Sequence, residues 1–231
     1  MQYLAVLFCA SIAYAQIAFE ITSVRPSPPD QPGMSMHETP GRVILQNATL
    51  GWAIKLAYHL QDYQLSGGPK WLDSDHYDIE GKGVPATANY KQKLVMLQAL
   101  LADRFQLKFR RDKREVSGYV LLPAKGGIKV AKSAATDEKS SSSSGTNMVS
   151  GKNETAAGLA AMLSDALGRP VLDETGFTDR FDFKLNWAPV NGEASASVFS
   201  LLQEQLGMRL EARKVPVDVL VIEGAEKPAA N

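Results

Sequence analysis

The sequence predicts an α+β fold built from two related modules of β-α-β-β-α-β-β type, joined by a serine-rich linker. Apolar residues at helical spacing alternate along the chain with short period-two apolar segments, which indicates interleaved helices and strands. The same order of signals also occurs on both sides of residues 132–146, where the run Ser140 to Ser144 offers no side chain that could enter a core. We therefore predict an internal duplication, with one module over residues 16–131 and a second over residues 147–231.

The first module begins with a strand over residues 19–24 and a proline-rich segment that we expect to be extended and exposed. Its first helix follows Thr49, whose hydroxyl can accept a hydrogen bond from a free amide at the helix start. Further along the chain, the pattern predicts a second helix over about residues 91–105 and strands over residues 77–79, 107–109 and 119–122.

The second module repeats this order. Thr155 is placed to cap its first helix, which we expect to end at Gly168, just before Pro170. A strand over residues 181–185, a helix over 197–206 and strands over 208–210 and 217–222 follow.

Acidic residues recur at matching positions of the two modules. Asp75 and Asp78 of the first module are matched by Asp179 and Asp182 of the second, while His76 is replaced by Arg180. Recurrence in each module favours structural roles for these side chains over catalytic ones.

The first fifteen residues form an uncharged apolar block that ends in Ala13-Tyr14-Ala15 and predict a cleaved signal peptide over residues 1–15. The block is shorter than the roughly 20 apolar residues that span a bilayer, and no later stretch of the sequence approaches that length. The single cysteine, Cys9, lies inside it, so the exported chain would contain no thiol. We expect a periplasmic or extracellular protein.

Charge is balanced over the whole chain, with 25 Lys and Arg against 25 Asp and Glu, which argues against a dedicated nucleic-acid-binding protein. One local cluster departs from that balance. It can be a solvated edge strand protected by cations, or a docking patch for an acidic envelope protein or an anionic polymer. The cluster comprises Arg104, Lys108, Arg110, Arg111, Lys113 and Arg114.

No catalytic, cofactor-binding or metal-ligating residues are predicted. His37, His59 and His76 lack the spacing of a metal site. The main hypothesis is a non-catalytic binding or docking module. The alternative is a hydrolase that acts on an envelope or extracellular polymer through the acids near Trp71, with Asp75 as its candidate residue.

Five segments of the sequence resemble a family of uncharacterised exported proteins that is abundant as paralogues in soil acidobacteria. These segments are residues 19–27 (FEITSVRPS), 66–75 (SGGPKWLDSD), 97–105 (LQALLADRF), 175–182 (TGFTDRFD) and 220–222 (LVI). This resemblance implies export but no activity and no site residues. Each module is also similar to the short N-terminal module of secretins and TonB-dependent receptors, which implies a docking or signalling role.

Overall fold

A computed structural model describes residues 18–134, 140–145, 147–187 and 197–229. It contains helices and strands in mixed order, which confirms the α+β prediction. The predicted signal peptide lies outside the described residues. The helices are α1 (Leu50–Tyr58), α2 (Tyr90–Arg104), α3 (Ala156–Leu167) and α4 (Val198–Leu201), the last extended by a π-helical turn over Leu202–Leu206. The strands are β1 (Ile21–Pro26), β2 (Ser35–Thr39), β3 (Arg42–Thr49), β4 (Leu65–Gly67), β5 (His76–Lys82), β6 (Lys108–Pro123), β7 (Ser141–Gly145), β8 (Met148–Glu154), β9 (Val171–Asp173), β10 (Phe181–Asn186) and β11 (Met208–Gly224).

The chain divides into two compact units that differ from the predicted modules. Unit 1 contains the described residues of 1–59, 69–108 and 224–231, and unit 2 contains those of 60–68 and 109–223. The physical reason is the pairing of β6 with β11, the closing strands of the two predicted modules, in one sheet of order β4-β11-β6-β9. Each of these strands was expected as two short segments, but each is one long strand.

Unit 1 is built on an antiparallel sheet of order β1-β5-β3-β2. Alternate residues of β5 are buried, as expected for a strand with one face against a core. Helices α1 and α2 pack against each other and bury Ile54, Leu97 and Leu101 completely or nearly so. Burial of large aliphatic side chains of this kind contributes about 1.5–3 kcal/mol each before entropic costs.

Unit 2 contains the four-stranded sheet described above and a three-stranded antiparallel sheet of order β10-β8-β7. Helix α3 contributes Leu159 and Leu163 to a core that also includes Phe181 and Leu185 of β10. The buried side chains of β10 alternate with exposed ones, so its period-two pattern predicted the correct buried face.

The serine run is not a linker in the part that the structure describes. Ser141–Gly145 forms strand β7, which is exposed along its whole length and pairs with β8 in the register Ser143 to Ser150. Lys132 makes a β-bridge to Phe181 of β10. Residues 135–139 and 146 lie outside the described residues. Serine side chains give no core signal, but the backbone can still pair because it carries the same hydrogen-bonding groups in every non-proline residue.

The predicted N-caps of the first helices are confirmed. The Thr49 hydroxyl accepts a hydrogen bond from the Trp52 amide at 3.1 Å, and the Thr155 hydroxyl accepts one from the Gly158 amide at 3.0 Å. Both helices then end on a left-handed residue, His59 at φ 53° and Gly168 at φ 60°. The predicted α2 and α4 helices are also present, and a left-handed residue follows each, Gln106 and Gly207.

We predict that His59→Gly raises the free energy of unfolding by about 0.5–1 kcal/mol, because a side chain in the left-handed region carries a steric cost that glycine avoids. His59 is exposed, so little packing is lost. Gly168→Ala provides the matched reverse change and is expected to lower stability by about 1 kcal/mol. No heavy atom lies within 4 Å of the added methyl carbon, so only the backbone cost is measured. Chemical denaturation checks both variants, and an unchanged midpoint for both would contradict the prediction.

Candidate functional site

The recurring acid of the first module holds the backbone where β3 leads into α1. Asp78 Oδ1 accepts a hydrogen bond from the Asn47 amide at 2.9 Å and another from the Ser27 hydroxyl at 2.8 Å. Asn47 has φ 50°, and the pairing of β3 with β5 is irregular between Leu45 and Ala48. The Asp78 carboxylate therefore pairs an amide at the point where the strand ladder is interrupted, which is a structural task.

The same arrangement is present in unit 2. Asp182 Oδ1 accepts a hydrogen bond from the Asn153 amide at 2.8 Å, and Asn153 has φ 52°. The hydrogen bond from Asn153, followed by one from the Ser133 side chain, lowers the pKa of the Asp182 carboxyl. Asp182 therefore acts as a negatively charged acceptor of hydrogen bonds from an amide and a hydroxyl.

His76 and Arg180 also make equivalent hydrogen bonds in the two units. The Nδ1 of His76 donates to the Asn47 carbonyl at 2.8 Å, and Nη1 of Arg180 donates to the Asn153 carbonyl at 2.9 Å. Two chemically different side chains thus donate to backbone carbonyls at matching positions of the two units. This supports the structural interpretation of His76, while the internal duplication itself stays a prediction.

A second acid from the predicted set, Asp75, lies in an open cleft of unit 1. The cleft has a volume of about 380 Å³ and is bounded by apolar residues of β1 and β5 and by the segment that follows β11. Its polar groups are Asp75, His76 and Lys227. Its remaining lining residues are Val24, Pro26, Tyr77, Pro228 and Ala229.

Lys227 joins this cleft from the far end of the sequence. Its ammonium group lies 2.7 Å from Asp75 Oδ2 and 5.8 Å from the centre of the Trp71 ring. The Glu226 amide, next to it, donates to the Phe105 carbonyl at 2.7 Å. No local signal in the sequence connects Lys227 with Asp75, which is why sequence reasoning did not include it in a site.

Three aromatic rings, those of Trp71, Tyr77 and Phe105, pack against one another, and Tyr77 also lines the cleft. Trp71 stacks near Phe105 with ring centres 6.4 Å apart, and Tyr77 meets Phe105 edge to face at 5.3 Å. Phe105 is fully buried and Tyr77 nearly so. Burial raises the pKa of the Tyr77 hydroxyl, and the Asp75 charge raises it further.

The charge state of Asp75 bears on the hydrolase alternative. The hydrogen bond from Lys227 lowers the pKa of the Asp75 carboxyl, and the same contact raises the pKa of the Lys227 ammonium. A general acid needs the opposite change, since its carboxyl must keep a proton near neutral pH. The contact with Lys227 therefore favours a role for the Asp75 carboxylate in binding a cation over a role as a general acid.

The predicted docking patch is distributed over two elements and both units. Arg104 is the last residue of α2, and its Nη1 lies 3.5 Å from the Thr22 carbonyl. Arg104 and Lys108 belong to unit 1, while the other four cations lie on β6 in unit 2. The structure thus groups Arg110, Arg111, Lys113 and Arg114 on one strand.

Alternation along β6 separates these four cations into two pairs. Arg110 and Arg114 lie on the face of Asp112 and form ion pairs with it at 2.9 and 3.8 Å. The side chains of Arg111 and Lys113 point to the opposite face, since successive side chains of a strand alternate. Both are exposed, and neither has a hydrogen bond or ion pair from its side chain within the part of the chain that the structure describes.

The edge of β6 beside these cations is open. Strand β9 pairs with β6 only over Tyr119–Leu121, and no other described strand lies on that side. Within the described residues, β6 therefore has no strand partner on this side beside Arg110 to Arg114.

Metal ligation and membrane crossing have no support in the described residues. His, Cys, Asp and Glu side chains do not form a cluster of three or more that could hold a metal ion there. Among the described helices, none has both the length and the apolar character required to cross a membrane.

A family comparison places the chain in a family without an assigned activity. The family model described as Protein of unknown function (DUF3738) matches residues 51–225, and the chain belongs to that family. Comparisons with curated proteins and with solved structures gave no match. The resemblance to an uncharacterised family is confirmed at this level.

We predict that Asp182→Asn lowers the thermal midpoint of the protein at neutral pH, because the amide retains the shape but not the charge that binds the Asn153 amide. The folded-state pKa of Asp182 is lowered, so its stabilising contribution is present above the unfolded-state pKa of about 4 and is lost as pH falls below it. The difference between wild type and variant should therefore shrink between about pH 5 and pH 2.

The matched control is Glu115→Gln, which removes an exposed carboxylate of the same unit whose side chain makes no hydrogen bond or ion pair within the described residues. Thermal unfolding followed at several pH values is the measurement. A stability difference for Asp182→Asn that stays constant down to pH 2, or an equal effect of the control, would show that the Asp182 charge is not responsible.

Proposed function

We propose that this protein is an exported, non-catalytic binding module that docks an anionic polymer of the bacterial envelope or exterior through the cationic segment Arg110 to Arg114 of β6. The observation that carries this proposal is the pair Arg111 and Lys113, two exposed cations on one strand face without a counter-ion in the described residues. Unneutralised, exposed cations attract anionic partners over a distance of about 10 Å at moderate salt.

The neighbouring pair has a different role in this proposal. Arg110 and Arg114 are about half exposed, but Asp112 lies between them and Glu223 lies 3.5 Å from Arg110. Their charges are partly neutralised. Exposed ion pairs of this type contribute little to stability. On the opposite face the exposed carboxylate of Glu115 follows Lys113 at the next position, but it forms no ion pair with Arg111 or Lys113 within the described residues, so these two cations remain available to an anion.

A regularly charged polymer fits the open edge of β6. Successive side chains on one strand face recur about every 6.5–7 Å, so Arg111 and Lys113 present charge at a spacing that a linear polyanion can follow. The open edge admits an extended chain without displacing a strand. Cations along such an edge also prevent pairing with other protein strands, so the two interpretations of the patch are compatible.

Three further proposals rest on the sequence. Residues 1–15 would direct export as a cleaved signal peptide, and the two predicted modules would descend from a duplication. Their similarity to the short N-terminal module of secretins and TonB-dependent receptors would agree with docking rather than turnover. The matched contacts of Asp78 and Asp182 support the duplication.

We predict that Arg111→Ser combined with Lys113→Ser weakens binding to alginate, a linear polyuronate, by about tenfold at low salt, because the unneutralised charges are removed. Wild-type affinity should fall with rising salt, and neutral dextran should not bind. Titration calorimetry or surface plasmon resonance measures both effects.

The matched control is Arg110→Ser combined with Arg114→Ser, which changes the net charge by the same amount on the opposite strand face. We expect a smaller loss from this control. Equal losses of affinity from the two double variants would show that binding depends on net charge and not on the Arg111 face. Salt-independent binding, or no binding by wild type, would refute docking of a polyanion at this strand.

A further inference from the structure

The cleft of unit 1 has the chemistry of an ammonium-binding site. The Asp75 carboxylate lines it, and the Lys227 ammonium lies 2.7 Å from that carboxylate and 5.8 Å from the centre of the nearby Trp71 ring. A carboxylate and an aromatic face together recognise a cation by charge and by the ring quadrupole. In this structure the chain's own segment Lys227 to Ala229 forms one wall of the cleft.

The equivalent position of unit 2 shows why unit 1 needs a cation from elsewhere. Lys132 forms a β-bridge with Phe181 and places its ammonium 3.1 Å from Asp179 Oδ1. In unit 1, Pro26 pairs with Tyr77 in the matching register. Proline carries no charge, so the residue that pairs with Tyr77 in unit 1 cannot meet Asp75 in the way that Lys132 meets Asp179 in unit 2.

Lys227 is a weakly held occupant. Its side chain is 59% exposed and that of Asp75 is 33% exposed, and an ion pair at such exposure contributes little. Beyond the ion pair and the ring contact, the segment is held by the hydrogen bond from the Glu226 amide to the Phe105 carbonyl. The proline that follows Lys227 offers no amide proton for a further backbone bond. These contacts are few enough for a competing segment to replace them.

We propose that Asp75 and the open cleft beside it form an exchangeable site for a lysine-bearing extended segment of a partner protein, and that the chain's own Lys227 pairs with Asp75 in the absence of that partner. The ligand side chain must be a primary ammonium on a long apolar stem. The stem would lie along Val24, Pro26 and Tyr77, and the ammonium would meet Asp75. This site lies in unit 1 and is separate from the docking of an anion on β6.

The test uses the acetylated and amidated tripeptide Ala-Lys-Ala, which supplies the ammonium and its stem without copying the positions that Glu226, Pro228 and Ala229 keep in the chain, and the full-length variant Lys227→Ala. We expect the variant to bind the peptide at least about tenfold more tightly than wild type, because the tethered lysine no longer competes. A peptide with norleucine in place of lysine should not bind. Tryptophan fluorescence, with Trp71→Phe to assign the signal, is the readout.

A pair of double variants distinguishes binding at Asp75 from a general effect of charge. Lys227→Ala combined with Asp75→Asn should lose the binding gained in Lys227→Ala, whereas Lys227→Ala combined with Asp73→Asn, an exposed acid two residues away, should keep it. Lys227→Met, which keeps the aliphatic stem, replaces Lys227→Ala if that variant unfolds at a lower temperature than wild type.

Three outcomes would overturn the proposal. One is no binding of the lysine peptide by the vacated variant at millimolar concentration, and another is binding that Asp75→Asn leaves unchanged. The third is concentration-dependent dimerisation of wild type that Lys227→Ala abolishes in sedimentation velocity, since the occupant would then be the tail of a second copy.

Discussion

Each unit depends on a carboxylate that binds a backbone amide where a strand passes directly into a helix. Thr49 is both the last residue of β3 and the N-cap of α1, so the chain must change direction within the strand ladder. A left-handed asparagine makes that change, and it leaves an amide that the neighbouring strand cannot pair. Asp78 accepts this hydrogen bond in unit 1, and Asp182 accepts its counterpart in unit 2. The entry angle of the first helix, and therefore the packing of its apolar face, follows from this bond.

The features that local chemistry dictates could be predicted from the sequence. Thr49 and Thr155 cap helices because a hydroxyl at that position satisfies a free amide, and Gly168 ends α3 because it tolerates positive φ. The buried face of β10 follows from the alternation of Phe181, Phe183 and Leu185. These signals lie within a few residues of the structure that they specify.

Features that depend on distant pairing could not be predicted in this way. The extension of β6 through charged residues follows from its pairing with β11, which supplies backbone hydrogen bonds whatever the side chains are. Strand β7 consists of serines and glycine, whose side chains carry no pattern, yet it pairs with β8. The Asp75 cleft needs Lys227 from the other end of the chain. The sequence predicted the cations of the candidate patch. It did not predict that Arg110 and Arg114 form ion pairs with Asp112 on one strand face while Arg111 and Lys113 lie on the other.

Asp75 and Asp179, the acids that precede β5 and β10, illustrate how similar local arrangements can support different uses. In unit 2, the Lys132 ammonium lies 3.1 Å from Asp179 Oδ1, and Lys132 also makes an isolated β-bridge to Phe181. In unit 1, the matching strand position is Pro26, and the cation that meets Asp75 comes from a segment outside the sheet. The carboxylates at Asp78 and Asp182 keep the same amide partners throughout. Groups that bind the backbone are thus fixed by the fold, whereas an acid whose partner lies outside the sheet can exchange that partner without disturbing the strand-to-helix junction.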